Sequence, residues 1–469
     1  MISINYRGSL MEHVKIYQGN QIGGCVTVIS SMINGEIHRI MVDYGSSLPG
    51  SDNEKDFDYP WDDEPVDAVF FTHYHGDHVG RIMEIPSHIP LYMGDVARRT
   101  MINIQEALGK NLHMAKEEAQ LHLEEASVLN DDKRVKTFNW NGRFYDHVKD
   151  IEGFVVEPYS VDHSAYDAYM FLFEVCDPDT KSGKYMIVHT GDFRGHGRRG
   201  HVMLTMIKKY IRRFNKRSVD ALVIEGTMMS RSCEKVISEP QMQLKATKYL
   251  MKHKYAFLIC SSTNVDSLAS FYQAAQDAVH PYGRNMYVYS YYFIKQLKLY
   301  SETAGSFADV YKFDNVFQFD LDPTKTYPHQ KWDKPKTQQE MMEDYGFIAL
   351  IKPEDYHEHY IDAFVEAYKA KRIRQMPVLI FSMWNGYLNP NHKAFKKEWF
   401  DFVERQKAKG VEVNYDLHTS GHATPKMLAS VINAIDPQDA LYPMHTEKKA
   451  EFMNLPIKDE IKHRIRLNS

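Results

Sequence analysis

His73-Tyr74-His75-Gly76-Asp77-His78 constrains this chain more than any other stretch. It follows directly on Val66 to Thr72 (VDAVFFT), an apolar run of strand length, so four ligand-type side chains sit in the loop at a strand's end. Three imidazoles and a carboxylate this close together can surround a small volume. Two histidines one residue apart can face one ion, and Asp77 and His78 follow closely enough to serve a neighbouring one. Such a donor set suits zinc with no thiolate needed. The bland alternative is a solvated His-rich turn, and the strand-then-loop setting weighs against it.

The same design recurs along the chain. Tyr185 to Val188 runs into His189-Thr190-Gly191-Asp192, and Val219 to Ile224 runs into Glu225-Gly226-Thr227. Val411 to Leu417 runs into His418-Thr419-Ser420-Gly421-His422, and Leu441 to Met444 ends at His445. Strands of one sheet that finish in polar loops can gather those loops along one edge. Early and late segments must then meet in space, which makes the stretch between them an insertion with its own core. Helix-like runs (QMQLKATKYLMKHK, VDSLASFYQAAQDAV) alternate there with strand-like ones (YAFLICSS, NMYVYSYYF, PVLIFSM), as in an α/β layer domain. The expected division is 1–235, an inserted domain 236–382, and a return segment 383–469. Asp320 to Gln339 reads as a long loop or linker.

A chain of 469 residues has room for two domains, and 43% hydrophobic with 25% charged residues is a globular balance. The formal charge of −5 argues against bulk attraction to nucleic acid, so an anionic substrate would need placed residues and metal ions. Cys25, Cys176, Cys233 and Cys260 form no CxxC pair, which disfavours a disulfide framework or thiolate site and leaves them as small core residues. No apolar run is long enough to span a bilayer. The start, MISINYRGSLMEHVKIYQ, lacks the layout of a secretory signal, so a cytoplasmic location without membrane attachment is expected.

The HxHxDH motif resembles that of the metallo-β-lactamase superfamily, and further elements occur in that family's order. They are His163 in SVDHS, Asp192 in HTGDFR and His445 in PMHTE. The resemblance implies an α/β fold, a four-layer αββα sandwich. It implies that His73, His75 and His163 hold one ion, that Asp77, His78 and His445 hold a second, and that Asp192 bridges them. Two Zn²⁺ ions are expected, with Mn²⁺ the other candidate. Glu225 in VIEGT, Ser420-Gly421-His422 and His445 resemble three motifs of the β-CASP nuclease branch, whose inserted α/β β-CASP domain would fill the gap between Glu225 and His422. Within that branch, His163-Ser164-Ala165-Tyr166-Asp167, HTGDFR and HTSGHA are similar to ribonuclease J. Two features depart from it. Only 24 residues follow His445, too few for the usual C-terminal domain, and Gly76 stands where ribonuclease J usually has Glu.

The likeness implies two-metal hydrolysis of single-stranded RNA to 5′-phosphate and 3′-hydroxyl products, by 5′ exonuclease or endonuclease action. Asp77, His422 and Glu225 would be the catalytic groups, with His422 protonating the leaving oxygen and Glu225 orienting it. His418 and Ser420 would hold a substrate phosphate. A DNA nuclease of the same branch and a hydrolase of a non-nucleic-acid substrate are the alternatives, and a homodimer would fit the nearest relatives. A di-iron oxidoreductase usually carries Glu where His75 stands, and a ligand-free scaffold would lack the complete ligand set seen here.

Four weaker signals remain. Lys208, Lys209, Arg212, Arg213, Lys216 and Arg217 interleave with Ile207, Ile211 and Phe214 as an amphipathic helix whose basic face is more simply solvated than nucleic-acid-binding. Arg194, Arg198 and Arg199 flank Asp192. The aromatic run Tyr287, Tyr289, Tyr291, Tyr292 and Phe293 alternates as in a strand, favouring sheet packing over base stacking. Trp384-Asn385-Gly386-Tyr387 follows a strand where it could line a cleft between domains.

Overall fold

The computed structural model describes residues 12–48, 56–111, 114–140, 142, 144–180, 182–231, 234–278, 285–304, 309–320, 322, 324–328 and 333–468. Two sheets face each other. In spatial order the first holds Val14–Tyr17, Val26–Ile33, Glu36–Val42, Ala68–Phe70, Leu91–Met93 and Val135–Thr137. Its central hairpin turns at Asn34-Gly35, both with positive φ (52° and 87°), the backbone that a two-residue hairpin turn demands and that Asn-Gly supplies. The second sheet holds Ala440–Met444, Ala221–Glu225, Lys184–His189, Ala168–Cys176 and Phe154–Val161.

Period-two alternation builds the layers. Phe171 and Phe173 point between the sheets, where they meet Phe70, Ile40 and Val156, whereas Met170 and Leu172 point outward. The outer face of the second sheet is covered by helix Pro425–Ile435 and the turns Met203–Ile211, through Ile207, Ile211, Leu428 and Ile432. The outer face of the first is covered by helices Asp95–Gly109 and Lys116–Asn130, through Ala97, Met101 and Leu129. The order helix, sheet, sheet, helix agrees with the four layers expected.

A third sheet, ordered Val316–Gln318, Asn285–Val288, Phe347–Leu350, Tyr255–Cys260, Val378–Ser382 and Glu412–Asn414, is parallel throughout. Helices cover both faces, so its inner strands read as unbroken apolar runs. Here the structure differs from the sequence expectation. The five strand-then-loop motifs do not share a sheet: Ala68–Phe70 lies in the first, three lie in the second, and Glu412–Asn414 is an edge strand of the third. The third sheet thus reaches residue 414, past the expected boundary at 382. Helix Lys397–Ala408 makes the crossover from Val378–Ser382, and an edge strand of mixed polarity carries no pattern that says which sheet will take it.

Other segments also fold differently from their local pattern. The aromatic run splits between strand Asn285–Val288 and helix Tyr291–Ala304, with Tyr287 in the core. The basic segment is a short α turn followed by a π-helical turn, Ile207–Ile211, and then three left-handed residues, Arg213, Phe214 and Asn215. Arg212 donates to Ile435 O at 2.6 Å and Arg217 pairs with Glu157 at 2.9 Å, so those two cations hold the fold together. Within Asp320 to Gln339, Thr326–Tyr327 and Lys336–Thr337 pair as a short ribbon. Cys25 is buried, Cys176 and Cys260 are partly so, and Cys233 lies outside the described residues. Among the described residues, no helix is long and apolar enough to cross a membrane.

Candidate metal centre

The loop after Ala68–Phe70 delivers its histidines into a buried space; His73 and His78 are each 1% exposed. His73 Nε2 lies 3.0 Å from His75 Nδ1, which lies 3.2 Å from His163 Nε2. Three ring nitrogens therefore converge on one point. His163 Nδ1 sits 2.7 Å from Gly421 O and donates to it, which leaves Nε2 with its lone pair inward. His73 Nδ1 faces Thr72 Oγ1 at 3.0 Å.

A second cluster joins Asp77, His78 and His445. Asp77 Oδ2 is 3.2 Å from His445 Nε2 and 3.7 Å from His78 Nε2. The outward nitrogens are again engaged: His78 Nδ1 by Asp43 Oδ2 at 2.8 Å, and His445 Nδ1 by Thr227 Oγ1 at 2.8 Å. Asp192 belongs to two further donor groups, one with His73 and His78, the other with Glu225, His422 and His445. All seven ligand candidates from the sequence thus meet at one place.

Burial of the imidazoles pushes His73 and His163 well below their ordinary range and His75 to about 4, so these three are neutral at pH 7 and fit to donate lone pairs. For Asp77, burial raises the pKa, but His78 and His445 outweigh it and hold the carboxyl below its usual range. Burial lowers His78 too, yet Asp192, Asp77 and Asp43 raise it well above. Three carboxylates thus converge on one buried imidazole, an arrangement that a divalent cation would neutralise. His78 Nε2 is 3.2 Å from Asp192 Oδ2 but not aligned for a hydrogen bond, and Asp192 Oδ1 and His422 Nδ1 are likewise buried without partners. Buried, unpartnered nitrogen and carboxylate donors without thiolates fit divalent cations.

Glu225, wholly buried, spends its oxygens on backbone: Ala423 N at 3.0 Å, Phe193 N at 3.4 Å and Thr227 N at 3.0 Å. It thereby fixes the segments next to His422, Asp192 and His445. His422 Nδ1 is 3.5 Å from both Glu225 Oε2 and Asp192 Oδ2. Burial lowers its pKa, and those two carboxylates more than restore it. Ser420 Oγ accepts from His422 N at 3.1 Å within its own turn, while His418, pushed to about 4 by burial, lines an adjacent groove with Trp384 and Asn385. His418 belongs to no His/Cys/Asp/Glu donor cluster among the described residues. A Cβ on Gly76 would meet nothing within 4 Å, so no neighbouring atom requires a glycine there.

Several contributors escaped sequence reasoning. Asp43 orients His78 and accepts from Thr72 N at 2.7 Å, and its backbone is left-handed (φ 61°), as is that of His445 (φ 53°). Its available signal was Asp43-Tyr44-Gly45 at the end of strand Glu36–Val42, another strand running into a polar turn. Arg194, wholly buried, contacts Asp162, Glu239 and Asp266 at 3.0, 3.1 and 2.6 Å and donates to Ser420 O at 3.2 Å. Asp162 neighbours the ligand candidate His163, whereas Glu239 and Asp266 begin helices packed on the third sheet. The arginine beside Asp192 therefore clamps the two units together.

The family model described as Metallo-beta-lactamase superfamily matches residues 23–92, which include Asp43 and the whole HxHxDH loop. This match supports the metallo-β-lactamase superfamily. The solved structure of a protein of unknown function from Enterococcus faecalis is similar over 97% of this chain and 97% of its own, at 17% identity and a TM-score of 0.62, so the whole fold is shared. A subclass B3 metallo-beta-lactamase isolated from a soil metagenome library is 13% identical over 51% of this chain and 81% of its own, with a TM-score of 0.25. The MIM-2 metallo-beta-lactamase is 14% identical over 45% and 73%, with a TM-score of 0.26. No curated protein matches. The superfamily's fold implies divalent-metal binding, and the His/Asp clusters described above supply the donors for it.

Proposed function

We propose that the protein is a metal-dependent phosphodiester hydrolase of single-stranded RNA that uses two divalent ions, zinc or manganese. The observation that carries this reading is the pair of three-donor clusters meeting at Asp192 with His422 beside them. His73, His75 and His163 would hold one ion, Asp77, His78 and His445 the other, with Asp192 between. Bound there, the ions would supply the nucleophile activation and charge neutralisation that displacement at phosphorus requires. The chain's own residues do the rest. Glu225 and Asp192 face His422 Nδ1, which leaves Nε2 as the nitrogen able to hand a proton to the leaving 3′-oxygen. His418 and Ser420 would hold a neighbouring phosphate. The motif likeness to the β-CASP branch, and to ribonuclease J within it, favours RNA, and a unit built on the third sheet between Glu225 and His422 supports that reading.

The test is cleavage of matched 5′-monophosphorylated RNA and DNA single strands with added zinc or manganese, using Asp192→Ala as the blank. RNA cleavage that disappears in the variant is expected. Cleavage of DNA alone would move the substrate to DNA, and cleavage by the variant equal to wild type would overturn the site.

A further inference from the structure

Beside the metal centre lies a groove of about 320 Å³ whose walls include Arg231, Trp384, Tyr387, Lys393, Lys396 and Lys448. Its position follows from chain continuity. Arg231 ends the turn Thr227–Arg231 that begins with the residue holding His445. Lys448 follows His445 by three residues. Leu48, on the same wall, would touch a Cβ on Gly23, which would also lie 3.1 Å from Asp77 Cβ.

The charge here is unbalanced. The one carboxylate on the wall, Glu447, is engaged by Lys393 at 2.9 Å. Arg231, Lys396 and Lys448 make no side-chain hydrogen bond or ion pair among the described residues, in a chain whose net charge is −5. Two of these cations rest on aromatic rings instead. The Arg231 guanidinium stacks 3.7 Å over Trp384, and the Lys396 ammonium lies 4.2 Å over Trp399 and 4.9 Å over Tyr387. Arg231 and Lys396 are half-buried and Lys448 is exposed; the carboxylates near the first two, Glu234 and Glu398, make no direct ion pair with them among the described residues, so a ligand's negative charge would complement these cations. Ring and guanidinium faces next to cations match a base joined to a phosphate.

We propose that Arg231, Lys396, Lys448, Trp384 and Tyr387 form a subsite for a nucleotide unit next to the scissile bond, binding its phosphate by charge and its base by stacking. This inference rests on the phosphodiester reading of the metal centre. Trp384 and His392 also line a neighbouring groove that reaches His418, Lys235 and Lys245 as well as Glu234 and Asp416, so the two grooves adjoin at the indole.

The experiment is equilibrium binding of a fluorescent ten-nucleotide single-stranded RNA to full-length Asp192→Ala protein across a salt series. The same measurement is made with Arg231→Gln or Trp384→Leu added, and with Lys298→Gln added as a removal of an exposed charge that lines neither groove. Unfolding midpoints establish that each variant is folded. Arg231→Gln should weaken binding about tenfold and reduce the salt slope by roughly one charge, Trp384→Leu should weaken it about tenfold with the slope unchanged, and Lys298→Gln should leave both alone. Binding within twofold of the parent in both groove variants, or equal losses from Lys298→Gln, would overturn the subsite. Wild-type turnover reports separately on the hydrolase: RNA bound through Arg231 but cleaved by no form of the protein would keep the subsite and sink the catalytic reading.

Discussion

Replacing Gly45 by alanine tests how the metal loop is held. A methyl carbon there would lie 2.0 Å from the carbonyl carbon of Asp77, 2.1 Å from its oxygen and 2.3 Å from His78 N. These are backbone atoms, so no side-chain rotation relieves the overlap. Tyr44 N donates to His78 O at 2.8 Å, Ser46 N to Gly76 O at 3.1 Å and Gly24 N to Asp77 O at 3.1 Å, so the segments cannot part without breaking these bonds. Ordinary contact requires the loop to withdraw by more than about 1 Å. Asp77 and His78 would move with it, although ligand atoms tolerate only about 0.2 Å. Overpacking itself costs about 1–3 kcal/mol, and a 1 Å misplacement at a reacting centre costs about a hundredfold in rate. Metal content of dialysed protein, read by mass spectrometry beside a thermal unfolding curve, should fall toward one equivalent in Gly45→Ala. Gly76→Ala, in the same motif but facing open space, should keep both ions. Full occupancy in the first variant, or equal loss in the second, would refute the packing argument.

Three further outcomes are expected. Asp43→Ala should weaken metal affinity about 10- to 100-fold in a chelator competition, because His78 loses the carboxylate that fixes its tautomer. Arg194→Met strands three buried carboxylates and should cost about 3–5 kcal/mol in denaturant unfolding, with Asp266→Asn in the same chain recovering part of the loss. Burial raises Glu125 to about 7, against 4.5 ordinarily, so the folded state holds its proton more tightly. Stability from this group is full below pH 4.5 and is lost as pH rises through 7. Glu125→Gln should therefore match wild type at pH 4.5 and exceed it by about 1–2 kcal/mol at pH 8 in matched unfolding curves.

The sequence by itself determined the donor chemistry. Four ligand types in six residues after a strand, with His163, Asp192 and His445 each in or just beyond a strand-end turn, are short-range patterns, and short-range patterns survive without knowledge of the fold. Only the tertiary structure decided what lies behind and beside those donors. Asp43 supports His78 because residues 43 and 78 meet across a loop, not because of its neighbours in sequence. Arg194 looked like a cation flanking Asp192 and proves to be a clamp, since its carboxylates come from Asp162, Glu239 and Asp266. The strand Glu412–Asn414 joined the third sheet because edge pairing depends on which backbone is left open beside Val378–Ser382. Hydrophobic periodicity says which face of an element is buried. It does not say against what, because partner choice is settled by contacts between residues hundreds of positions apart.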